Sequence, residues 1–333
     1  MSTDIQARLF GHIRTILPAE ASLVDEIAAV LQISTDSAYR RIRGDKVLAM
    51  DEAYRLCLHF GLSLDSLCSL RTEGYLFNGK FVQADSFRFD DYLSSLVQQV
   101  KYMSGFRNPV MYYLCKDIPI FHHFHFRELA AFKYYFWMKN ILHLPEFAHK
   151  KFSLDLYPNE FFELGRQGLA FYNRIGSVEL WNIESVNSTL RQVEFYQDSN
   201  IFENNEQIYM IYEALEKLID HLELQATRGF KSDAQDPAHT PGASFKMYFN
   251  EIVILENSIL ATLDESKAAF LVHNVLNFLV TRDVSFCENM HSYIQNLIRK
   301  STLISMVSER ERARFFKHLR QRIVSRKQHC RKG

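Results

Sequence analysis

SLVDEIAAVLQISTDSAYRRIRGDKVLAMDEAYRLCLHFGLSLDSL, residues 22 to 67, reads as a compact set of short helices. Ser22 is placed to cap a helix running to about Gln32, with Leu23, Ile27, Val30 and Leu31 inward, because a serine hydroxyl accepts from the free N–H groups of a first turn. Ser34 does the same for a helix ending near Gly44. Another spans about Asp51 to Phe60, closed by Gly61 as a left-handed C-cap, and Ser63 opens a last short one. Upstream, Ile5, Leu9, Ile13, Ile16 and Leu17 recur at helical spacing until Pro18 ends the run. Residues 1–70 are therefore expected to form a five-helix, all-α domain.

Outward from this segment the pattern changes. Residues 71–88 lose periodicity, and Asn78-Gly79 between YLF and KFV suggests a linker or small hairpin. Helical patterns return at about 89–104, 126–142, 158–174, 183–198 and 204–226, giving a helical domain over 89–226. The stretch 227–244, rich in Pro, Gly and small polar residues, reads as an exposed loop. Within 245–333, KMYFNEIVIL and ILATL read as short strands joined at Glu256 to Ser258, while KAAFLVHNVLNFLV, residues 267–280, fits strand or buried helix equally. A helix from about Val284 to Ile304 and a basic amphipathic one from about Glu309 to Arg326, with Phe316, Leu319 and Ile323 on one face, complete the chain. The fold class expected is mainly α, with a small β element near 246–280.

The chain has 333 residues, enough for two or more domains, and its 39 basic and 39 acidic residues balance. Any electrostatic attraction to nucleic acid must then come from local patches. Residues 310–333 form one, with ten Lys or Arg against the single acid Glu311. That tail is either a solvated face or a source of extra phosphate contacts. Five scattered cysteines without CxxC pairs suit free thiols in a reducing compartment. The opening MSTDIQARLF has no basic and apolar leader pattern, and no long uncharged apolar run appears, so a cytoplasmic protein with no membrane partner is expected.

With Ala38 and Ile42 against the core, Arg40 turns outward from the helix that Ser34 caps, flanked by Asp36, Ser37 and Arg43. A capped, exposed, basic helix fits the DNA major groove, where arginine offers a bidentate fork to guanine. The segment resembles the lambda-repressor-like, Cro/CI-type helix-turn-helix family, also called the XRE family. The likeness covers helix one to Leu67. It rests on Ile27-Ala28, the turn Gln32-Ile33-Ser34, Ala38, Gly44 and the ending HFGLSLDSL; SAYRRIRG, residues 37–44, looks like a bacterial subset with long C-terminal regions. Gln32, Val24 and Arg41 depart from the family pattern, which often has glycine, glutamine and an apolar residue there. The resemblance implies a homodimeric transcriptional regulator on double-stranded DNA, with half-sites one helical turn, roughly 34 Å, apart. It implies base contacts from Thr35, Asp36, Ser37 and Arg40, and backbone contacts from Ser34, Tyr39, Arg41, Arg43 and Lys46. The C-terminal region would dimerise and sense a small-molecule or peptide effector. The alternatives are an interaction protein that uses the helices as scaffold, or an unrecognised enzyme in residues 89–333.

No cofactor is expected. His122, His123 and His125 in IPIFHHFHF lack metal-ligand spacing on either a helix or a strand, and no HExxH, GxSxG, GxGxxG or P-loop pattern occurs, so neither a metal nor catalysis is expected. The aromatics of residues 121–137 suit a large core, or else an apolar pocket or dimer interface.

Overall fold

The structure, a computed structural model, describes residues 5–18, 20–67, 74–79, 87–251, 257–274 and 276–329. The N-terminal helices are α1 (Ile5–Ile16), α2 (Leu23–Leu31), α3 (Thr35–Ile42), α4 (Met50–Phe60) and α5 (Leu64–Leu67). Ser22 and Ser34 cap α2 and α3 by accepting from Asp25 N and Ser37 N, and Gly61 closes α4 in the left-handed region at φ 63°. Gln32 ends α2 at φ 57°, a conformation that favours glycine. Leu9, Phe10, Ile13, Ile27, Leu31, Ala38 and Leu56 fill a core belonging to these helices alone.

The rest is not the mainly helical region expected from the sequence. It is built on a seven-stranded mixed sheet, and the fold is α/β. The strands are β1 (Pro109–Cys115), β2 (Gly176–Trp181), β3 (Phe245–Phe249), β4 (Ser258–Leu263), β5 (Ser266–Asn274), β6 (Asn277–Thr281) and β7 (Thr302–Leu303), in the order β6-β5-β4-β1-β2-β3-β7. β1, β2 and β3 run parallel, with Val110 opposite Gly176 and Ser177 opposite Phe245; β4 lies antiparallel to β1. Two of the central strands, β1 and β2, fall in stretches between the expected helices. They are buried on both faces, β2 along its whole length, so they show no alternation of apolar and polar residues.

Around the sheet lie α6 (Phe89–Ser104), α7 (Ile120–His123), α8 (Arg127–Phe136), α9 (Asn159–Tyr172), α10 (Asn187–Asp198), α11 (Asn205–Arg228), α12 (Val284–Arg299) and α13 (Glu309–His329). α12 sets Cys287, Met290 and Ile294 against Leu114, Val178, Leu180 and Leu260 on one face. Met111, Tyr113, Trp181, Phe245 and Met247 pack on the opposite face against α6 to α11 and α13. Gly165 in α9 lies so close to the Phe124 ring that a Cβ would collide with it.

Other expectations resolve in detail. Residues 267–274 and 277–280 form strands rather than a helix, as the β5–β6 pair. Asn78 pairs with Val280 of β6; the KFV arm of the hairpin expected at Asn78-Gly79 lies outside the described residues, as does Glu256 in the expected strand junction. Residues 230–244 are irregular, yet Lys231 and Ser232 are buried rather than exposed. The basic helix α13 buries Phe315, Phe316, Leu319 and Ile323 and pairs four of its eight Lys and Arg with acids elsewhere in the fold: Arg320 with Asp220 and Glu223, Arg322 with Glu184, Arg326 with Glu194, and Lys327 with Glu213 and Glu216. Among the described residues, no helix is long and apolar enough to cross a membrane.

Candidate nucleic-acid interface and a buried polar cluster

α3 presents Thr35, Asp36, Tyr39 and Arg40 to the surface, with Ser34 just before it and Arg43 and Lys46 just after, all exposed, and with Ser37 half-buried. Arg43 lies 5.8 Å from the Tyr39 ring centre and 3.6 Å from Asp45. Ala38, on the opposite side of the helix, is fully buried.

Arg41 is the exception among the nine residues singled out in the sequence. It is 4 % exposed and holds Glu52 with both arms of its guanidinium, Nε to Oε2 at 3.0 Å and Nη2 to Oε1 at 2.6 Å, while Nη1 donates to the Ser37 carbonyl at 3.1 Å. The same carboxylate accepts from Ala49 N at the start of α4. Arg41 therefore joins α3 to α4 from inside, and its donors are not directed at a passing phosphate. Burial tends to raise the Glu52 carboxyl, but the Arg41 hydrogen bonds, the largest influence, lower it below its ordinary value.

Gln6 was not singled out in the sequence. From α1 its amide donates to the carbonyls of Arg41 at 2.7 Å and Lys46 at 2.8 Å and accepts from Leu48 N at 2.9 Å. It clamps the loop that follows α3. A polar residue in the first turn of an amphipathic helix carries no sequence signal for such long-range bonding.

A second polar assembly lies beneath the sheet. Glu179, in the middle of β2, is fully buried. Its oxygens meet His122 Nε2 at 3.2 Å, accept Trp181 Nε1 at 2.8 Å, and accept the hydroxyls of Tyr172 and, at 3.4 Å, Ser177. Burial would raise this carboxyl, but His122, Lys231 and Tyr172 together hold it down at about 2. Lys231 is fully buried, donates to the Tyr172 carbonyl at 2.9 Å, and sits 3.1 Å from that ring's centre. Burial drives its pKa well below the ordinary lysine value, against the attraction of Glu179.

Imidazoles lead outward from Glu179. Ring centres are 6.1 Å apart for His122 and His125, 4.6 Å for His125 and His221, and 6.0 Å for His221 and the half-buried His239. Asp233, held by Arg166, lies 3.7 Å from His125 Nδ1. The packing makes His122 and His125 members of one row although they are three residues apart, while His123 turns away. Among the described residues no three His, Cys, Asp or Glu groups converge on a point suited to a metal ion.

These histidines give the fold an acid limb. Burial pulls His123 and His221 down to about 3 and His125 to about 4, from an ordinary 6.5. In the unfolded chain they take up protons near pH 6.5, before the folded chain does. Stability present above pH 6.5 is thus lost as the pH falls toward 4, at up to ~1.4 kcal/mol per pH unit for each group. Urea midpoints at pH 7.5, 6 and 5 should decline in step, and His221→Gln should flatten the decline; midpoints independent of pH over that range would contradict it.

No family model, curated protein or solved structure matches the chain.

Proposed function

We propose that the chain is a sequence-specific DNA-binding transcriptional regulator that reads the major groove with α3. The observation carrying this reading is the division of α3 itself: Thr35, Asp36 and Arg40 face solvent behind a capped N-terminus, while Ala38 and Arg41 face the protein. Thr35, Asp36, Ser37 and Arg40 would meet base edges. Ser34, Tyr39, Arg43 and Lys46 would meet phosphates, with Arg41 fixing the helix rather than touching DNA. As a regulator the chain would act in the cytoplasm as a homodimer, with residues 89–333 dimerising and sensing an effector.

Arg40→Ala should weaken binding to the cognate site by about 1 to 3 kcal/mol and relax one base position, whereas Arg43→Ala should weaken binding to all sequences alike. Both follow once a site is selected from random DNA with the full-length protein, where recovery of a palindrome is the expected result. Equal, sequence-independent losses for the two variants would refute this division of roles.

A second reading, a protein-interaction module, is favoured by one observation. Val47, Met50, Tyr54 and Leu58 are 61 to 80 % exposed, the last three at four-residue spacing along α4. Failure to select any sequence from the pool would favour that reading.

A further inference from the structure

Met50, Tyr54 and Leu58 recur at every fourth residue of α4, so their exposed side chains line up as one apolar stripe, which Val47 extends past the start of the helix. The inner side of α4 is already filled, with Leu56 and Cys57 in the core of the N-terminal helices. The stripe adds nothing to that core. Large apolar side chains grouped on a surface in this way mark a contact with another molecule.

Charge selects the partner. Asp51, Arg55 and His59 are exposed and form the neighbouring row of α4, again at four-residue spacing. Glu52, the other acid of α4, is turned inward to Arg41. Arg55 Nη2 donates to the Val30 carbonyl at 2.6 Å, which anchors the guanidinium beside the stripe. The row thus carries its acid toward the amino end of the helix and its bases toward the carboxyl end. A two-fold contact is isologous, matching one residue to a second and the second to the first. An axis crossing α4 at the level of Ala53 sets two copies of the helix antiparallel, with both charged rows on the same side. Asp51 then faces Arg55 of the second copy, twice, and Leu58 reaches Val47 of that copy. A nucleic-acid backbone would instead meet Asp51, which repels phosphate. We propose that α4 is a self-complementary seam between two copies of this chain, closed by Met50, Tyr54 and Leu58 and flanked by two Asp51–Arg55 pairs. The seam stands whether or not α3 reads DNA. On that reading, the Arg41–Glu52 joint ties α3 to α4, so the seam sets the separation of the two recognition helices.

The test is cross-linking of the full-length protein carrying Tyr54→Cys, an exposed position close to the axis, with a short bismaleimide. Cross-linked dimer should form roughly tenfold faster or more than in the wild type or in Lys217→Cys, an exposed position on α11, because docked thiols meet at a high effective concentration. Adding either Asp51→Arg or Arg55→Asp to Tyr54→Cys should slow the reaction about fivefold, since each sets like charges against one another twice. Mixing those two doubly substituted chains should restore it, because Arg at 51 of one then faces Asp at 55 of the other and the native pair forms beside it. An ion pair within a single helix gives no such recovery on mixing. The proposal is overturned if Tyr54→Cys cross-links no faster than Lys217→Cys, or if the mixture reacts no faster than its components; either result assigns the stripe to a different partner.

Discussion

Replacing Glu179 with alanine is expected to lower the stability of the sheet region by about 3 to 5 kcal/mol, the cost of removing one partner from a buried charge network. The magnitude follows from what is left behind. Trp181 Nε1, the Tyr172 hydroxyl and His122 Nε2 all point at the vacated site, where water has no access. Lys231 loses the anion that supports its charge there. Glu179→Gln should cost less, because an amide oxygen still accepts from Trp181 while its NH2 meets His122 or Tyr172 as a donor. Urea unfolding followed through Trp137 and Trp181 measures both variants. A loss below about 1 kcal/mol for Glu179→Ala would show that the cluster is not held by its charge.

Arg41→Ala should destabilise the N-terminal helices by about 2 to 4 kcal/mol, somewhat less than a fully buried pair, because the Glu52 side chain is 21 % exposed. Three charge-assisted hydrogen bonds vanish at once, two of them to a carboxylate. Arg41→Lys should recover little, since an ammonium cannot grip both Glu52 oxygens and the Ser37 carbonyl in the same planar geometry. Thermal unfolding of the full chain, read through segment-resolved hydrogen exchange over residues 35–60, distinguishes this effect from one on the sheet. Should exchange there stay unchanged in Arg41→Ala, the joint between α3 and α4 lies elsewhere.

The N-terminal helices were legible because their signals are local: Ser22, Ser34 and Gly61 act within a turn of their own helix ends. The burial of Arg41 has no sign in the sequence, because charge implies surface unless the partner, eleven residues away in another helix, is known. β1 and β2 were missed for a related reason. A strand covered by helices on both faces carries no period-two pattern, and β2 further hides itself with Ser177 and Glu179, polar residues that only the fold pairs. Spacing within IPIFHHFHF bears only on metal ligation, whereas the partners of its histidines are Glu179 and His221, dozens of residues downstream. Arg320, Arg322, Arg326 and Lys327 of the cationic tail carry no sequence sign of pairing, because their partners sit far upstream on α10 and α11 and in the turn before α10.

The order of strands sets a timetable for making the molecule. β1 is flanked by β2 and by β4, and β4 is not complete until residue 263. A chain leaving the ribosome can close the N-terminal helices early, since their contacts are short in sequence, but it must carry β1 with one edge unpaired through synthesis of about 150 further residues. The sheet therefore matures late, and α13, which packs on α11, seals it last. During that interval the exposed edge of β1 is where a stalled or truncated chain would aggregate.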